Sequence, residues 1–213
     1  MIGSLWIPWP NFTGFKESFT GVTERKNGGP IVMSFVTMEQ MNLVKDIAAI
    51  LTRAHETLSV AESSAGGLIS ACLLSIPGAS SFFVGGSVLY SYQIRKEIVG
   101  IGKEEHRVYG GSTPELILEI AQRFRERIGT DWVIGEGGAA GPSKSPYGHN
   151  AGYTALAVAG PINRAKSIET GKSDRTENMS EFTNALLSFF LDVLKEREAA
   201  RSMLHGTHTE TRR

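Results

Sequence analysis

Residues 57–78 read Thr-Leu-Ser-Val-Ala-Glu-Ser-Ser-Ala-Gly-Gly-Leu-Ile-Ser-Ala-Cys-Leu-Leu-Ser-Ile-Pro-Gly, and the order of chemistry in that stretch decides the fold. A short β-type run, 57–61, gives way to small polar residues and two glycines. An apolar segment, 68–76, then ends at Pro77-Gly78, as a helix does. Strand, polar loop and helix in direct succession make one unit of an α/β layered domain. The junction also aims unpaired backbone N–H groups at one point, which suits a phosphate or a developing oxyanion. Ser63 stands where a nucleophile would. In the alternative, Ser63 or Ser64 only caps the helix and Glu62 only supports the loop.

The pattern repeats on either side. Upstream, Leu43, Ile47, Ile50 and Leu51 fall at helical spacing within 39–54. Downstream, 87–90 reads as a second strand and 94–99 as a short helix. Ser112-Thr113-Pro114-Glu115 then starts a helix that carries Ile117, Ile120, Ala121, Phe124 and Ile128 on one face. Trp132–Gly135 and Tyr153–Ala159 are buried strands, and Met179, Phe182, Leu186 and Val193 mark a last amphipathic helix. The expectation is a three-layer α/β/α domain with a largely parallel sheet over 38–197. An N-terminal extension (1–37), either unstructured or the product of a start codon placed too early, precedes it. A polar tail (198–213) follows.

A chain of 213 residues, 41% hydrophobic and 21% charged, has the composition of a globular domain with a sizeable core. Lys+Arg 22 against Asp+Glu 22 leaves no net charge, so neither nucleic acid nor an anionic membrane is an expected partner. The lone Cys72 forms no internal disulfide, no apolar run reaches the length of a membrane span, and a cytoplasmic protein is expected. The histidines show no metal-ligand spacing. Of the five, His149 alone adjoins a glycine-rich segment. That segment, 135–142, contains Gly-x-Gly-x-x-Ala, but Pro142 and Pro146 follow where a dinucleotide fingerprint needs a helix, so it reads as a loop.

Four pieces taken in order, Ala61-Glu62-Ser63-Ser64-Ala65-Gly66-Gly67, Ile76-Pro77-Gly78-Ala79-Ser80, Gly85-Gly86-Ser87-Val88-Leu89-Tyr90-Ser91 and Ala140-Gly141-Pro142, resemble the C-terminal domain of the competence-damage-inducible CinA proteins. The resemblance implies hydrolysis of the carboxamide of nicotinamide mononucleotide to nicotinic acid mononucleotide and ammonia, with neither metal nor cofactor, in a homo-oligomer. It implies Ser63 as nucleophile and Tyr90 at the family's tyrosine position. Glu62, Ser64, Gly66, Gly67, Gly137 and Gly138 would surround the substrate, with Arg175 on its phosphate. The departures are specific. Ser64 and Ala65 stand for the family's cysteine and threonine, Gly137 for a threonine, Met179 for a second arginine, and Arg95 for the lysine that assists the serine. Arginine is no base near neutral pH. Lys96 retains an amine, but the helix turns it about 100° away. The alternative function is therefore a catalytically impaired relative that binds a nucleotide or phosphate.

Overall fold

The computed structural model describes residues 35–206; the expectations for 1–34 and 207–213 lie outside them. Helix α1 (Met38–Ala54) starts at a capping box in which Thr37 Oγ1 accepts from the Gln40 N–H and Gln40 Oε1 accepts from the Thr37 N–H. It is followed by β1 (Leu58–Glu62), α2 (Leu68–Leu74), a single 3-10 turn (Ala79–Ser81) and β2 (Phe83–Val88). Next come α3 (Tyr92–Val99), α4 (Lys103–Val108), α5 (Pro114–Ile128) and β3 (Trp132–Ala139). The hairpin β4 (Tyr153–Ala159) and β5 (Arg164–Glu169) leads into α6 (Arg175–Gly206).

The sheet runs β2-β1-β3-β4-β5. Strands β2, β1 and β3 are parallel, while β4 and β5 are added antiparallel. The expected three-layer α/β domain is present, with the parallel pairing in the half that carries the 57–78 unit. Strands β1 and β4 are buried along their whole length, whereas the edge strands β2 and β5 are mostly exposed or half-buried. On one face lie α1, α2 and α6, packed through Val44, Ile47, Leu51, Ile69, Leu186 and Phe190. The other face is covered by α5 through Leu116, Ile117, Ile120 and Phe124. The Trp132 and Phe190 rings meet edge to face at 5.6 Å, both side chains fully buried, each burial contributing about 1.5–3 kcal/mol.

The sequence reading is corrected at five places. Strand β2 ends at Val88, so Leu89 and Tyr90 follow the strand rather than finish it. Helix α4 and strand β5 were not expected. Helix α6 continues to Gly206, through the first residues of the stretch assigned to the tail. The glycine-rich segment is mostly strand, for β3 runs to Ala139. Its glycines answer to close approach: a Cβ on Gly138 would lie 2.1 Å from the Tyr153 carbonyl oxygen, and one on Gly137 2.7 Å from Ile117 Cδ1.

Among the described residues no helix is long and apolar enough to cross a membrane. Because β1, β2 and β3 are parallel, their carboxyl ends share one edge of the sheet. The chain emerges there at Ser63, at Leu89-Tyr90 and beyond Ala139, which is where open α/β sheets hold ligands.

Candidate active site

Two buried carboxylates build the loop after β1. Glu62, the last residue of β1, is fully buried. Its Oε2 accepts from the Gly67 N–H at 2.9 Å and the Ile69 N–H at 3.2 Å, and its Oε1 from the Ser70 N–H at 3.1 Å and the Ser70 hydroxyl at 2.6 Å. The N-cap of α2 is Gly67, which makes no side-chain cap, so Glu62 supplies the acceptors that an N-cap side chain would. Glu136, on the neighbouring β3, is 1% exposed. Its Oε2 accepts from the Ser63 N–H at 3.1 Å and the Ala65 N–H at 2.8 Å. Its Oε1 accepts from the Thr154 hydroxyl at 2.8 Å and from the Ser64 hydroxyl. Burial raises the Glu136 pKa against these bonds, which lower it.

The amides expected to face an oxyanion are therefore engaged within the loop. Those of Ser63 and Ala65 serve Glu136, those of Gly67, Ile69 and Ser70 serve Glu62, and those of Gly66 and Leu68 bond the Ser63 and Ala65 carbonyls. Only the Ser64 N–H in that run is left over, and it is the amide next to Ser63. Neither serine caps α2.

Ser63 opens into a cavity of about 400 Å³. Tyr90, Tyr92, Tyr147, His106 and His149 line its wall beside Ser91, Ser112 and Ser145, and Arg95 is the only Lys or Arg among the lining residues. No Asp or Glu lines it. Arg95 is 4% exposed; its Nη1 donates to His106 Nδ1 at 2.8 Å, its Nη2 makes a 3.5 Å contact to the Leu89 carbonyl, and its Nε has no acceptor. The Tyr92 ring lies 5.8 Å from the guanidinium carbon. Burial, then electrostatic repulsion from Arg95 and His149, pushes the His106 pKa down to about 4, so His106 is neutral near pH 7 and its Nδ1 accepts. Burial and the adjacent Tyr147 hydroxyl raise the Tyr92 phenol.

The segment between β3 and β4 closes the far wall. His149 stacks on Tyr153 at 4.0 Å, and its buried Nε2 has no partner. Helix α6 pins the start of this segment: Asn178 Nδ2 donates to the Ala140 carbonyl at 2.8 Å and Arg175 Nη1 to the Gly141 carbonyl at 3.0 Å, across a cis Gly141-Pro142 bond.

Of the residues singled out from sequence, Ser63, Tyr90, Arg95, Gly138 and His149 come together on the cavity. Glu62, Ser64 and Gly67 serve the loop instead, and Gly137 underlies it, its missing side chain's space taken by Ile117. Gly66 abuts Met179: a Cβ there would lie 2.8 Å from Met179 Cε. Lys96 is exposed and packs along Gly102, outside the cavity. Arg175 is exposed at the start of α6 and is spent on Gly141, not on the cavity wall. Glu136, His106 and Tyr147 were missed. A glutamate inside a glycine run was the available sign for Glu136; nothing local marks the other two. Among the described residues no group of three His, Cys, Asp or Glu is placed to hold a metal.

Comparison with known proteins bears on the same region. A family model described as the CinA C-terminal domain matches residues 40–194. A CinA-like protein of Parasynechococcus marenigrum is 36% identical over 120 residues, which cover 56% of this chain and 29% of that one. Another, from Fervidobacterium nodosum, is 31% identical over 191 residues, covering 85% of this chain and 46% of the relative. The chain thus spans less than half the length of these relatives. Against solved structures the match takes in nearly the whole of the other chain and about three quarters of this one. The competence or damage-inducible protein from Enterobacter asburiae superposes with a TM-score of 0.69 at 24% identity, over 73% of this chain and 98% of that one. The competence/damage inducible protein CihA from Agrobacterium tumefaciens gives 0.69 at 25%, over 76% and 99%.

Proposed function

The chain belongs to the CinA C-terminal domain family, and from that premise we propose that its cavity takes nicotinamide mononucleotide and that Ser63 attacks the carboxamide. The observation that carries this reading is the place of Ser63: it opens on a ring-walled, carboxylate-free cavity of about 400 Å³, sized and charged for an anionic aromatic ligand. Attack of Ser63 Oγ on the amide carbon forms a tetrahedral oxyanion, for which the Ser64 N–H is the remaining amide donor. Ammonia leaves with the proton given up by the serine, and water then cleaves the acyl-serine ester to release nicotinic acid mononucleotide.

The second reading, binding without turnover, draws on a specific observation. No lysine lines the cavity, and Arg95 sits where the family's lysine is expected. General-base help is worth about 10²–10⁴-fold, so its loss alone takes a modest amidase close to background.

Ammonia release from nicotinamide mononucleotide, measured on the full chain and on Ser63→Ala, separates the two. Serine-dependent release is the expected result, with Ser63→Ala silent yet melting near the wild-type temperature, because Ser63 gives its backbone N–H and not its hydroxyl to Glu136. Turnover retained in Ser63→Ala refutes the nucleophile. Binding with no release from the wild type establishes the second reading.

A further inference from the structure

A guanidinium removed from water is normally matched by a carboxylate. Arg95 is not. It is 4% exposed, both of its recorded acceptors are neutral, and its Nε has none at all. The cavity it lines contains no acidic side chain. The guanidinium is nonetheless held firmly, by a His106 ring that meets Tyr92 at 5.1 Å and Tyr147 at 4.8 Å. A fixed cation with spare donor capacity, on the wall of a cavity rich in aromatic rings, fits an anion attached to a flat ring system.

We propose that Arg95 is the anion receptor of the cavity and sets its specificity, holding the negatively charged group of a ring-bearing ligand, with His106 as its positioning residue. The inference rests on the cavity being a pyridine-nucleotide site. Two groups of such a ligand share the required chemistry, the phosphate of the mononucleotide and the ring carboxylate of the acid form.

Calorimetric titration of the full chain distinguishes them with four probes. Nicotinamide riboside has neither anion, nicotinamide mononucleotide only the phosphate, nicotinic acid riboside only the carboxylate, and nicotinic acid mononucleotide both. The wild type is expected to bind the probes carrying the recognised anion more tightly than nicotinamide riboside. Arg95→Gln is expected to weaken those probes by about tenfold to a hundredfold, the worth of a charge-assisted hydrogen bond, and to leave nicotinamide riboside unchanged. Arg95→Lys restores part of the loss. If the phosphate is read, both mononucleotides lose affinity; if the carboxylate is read, both acid forms do.

Anionic probes that bind the wild type no better than nicotinamide riboside overturn the proposal, and that comparison needs no variant. So does an Arg95→Gln protein, folded by its thermal melt, that loses all four probes equally or none. Failure of the hydrolysis reading looks different: ammonia release is absent while arginine-dependent anion binding persists.

Discussion

Replacing Glu136 by alanine is expected to cost about 3–5 kcal/mol of folding free energy and to silence Ser63-dependent chemistry, while Glu136→Gln keeps most of both. Four donors converge on this carboxylate: the Ser63 and Ala65 N–H groups on one oxygen, and the Ser64 and Thr154 hydroxyls on the other. Alanine strands them beside a void. Leaving a buried donor unpaired costs about 1–3 kcal/mol, and the sum falls short of simple addition because the hydroxyls can turn elsewhere. Glutamine retains a carbonyl for the two amides, and its NH₂ can donate to two hydroxyls that rotate to accept. The ionisation argument agrees. Burial raises the Glu136 pKa in the folded state, so its contribution is full below the ordinary glutamate value and declines as pH rises through the raised one. A neutral isostere therefore gives up little at pH 7. Urea unfolding of both variants checks the claim, and an alanine variant as stable as wild type would remove Glu136 from its role.

The contrast between Glu62 and Glu136 shows where sequence reading works and where it stops. The strand–loop–helix unit, the proline-led α5 and the Tyr153–Ala159 strand were legible because each is encoded over a few consecutive residues: a short apolar β-type run, a cap, a breaker. Glu62 was in view because its partners lie five to eight residues ahead, inside the same unit. Glu136 was not, because its bond to the Ser63 amide joins residues 73 apart, and only the β1–β3 pairing brings them level. The glycines around it misled for the same reason. Gly137 and Gly138 read as loop formers, yet they are small because Ile117 and the β4 backbone crowd them. Strand β5 was invisible because an edge strand with polar residues lacks a hydrophobic period. Ser63, Tyr90 and Arg95 were found together by resemblance, but their common cavity depends on His106, Tyr147 and His149, which arrive from α4 and from the segment after β3.

His106 also sets the largest expected pH effect. Its pKa falls from 6.5 to about 4, chiefly through burial and then through electrostatic repulsion from Arg95 and His149. The folded protein thus resists protonating a histidine that the unfolded chain protonates readily. The stability this contributes is present in full above about pH 6.5, declines as pH falls toward 4, and is gone below it. A shift of that size corresponds to about 3 kcal/mol. Protonation does double damage, since it removes the acceptor that fixes Arg95 Nη1 and places a second positive charge 2.8 Å from it. His106→Asn keeps an oxygen acceptor for Arg95 and cannot titrate. Unfolding free energies of wild type and variant, measured from pH 7 to pH 4, are expected to converge by up to about 3 kcal/mol as the wild type loses its advantage. Parallel curves would mean that His106 titrates alike in both states, and that the neutral imidazole does not hold the Arg95 guanidinium.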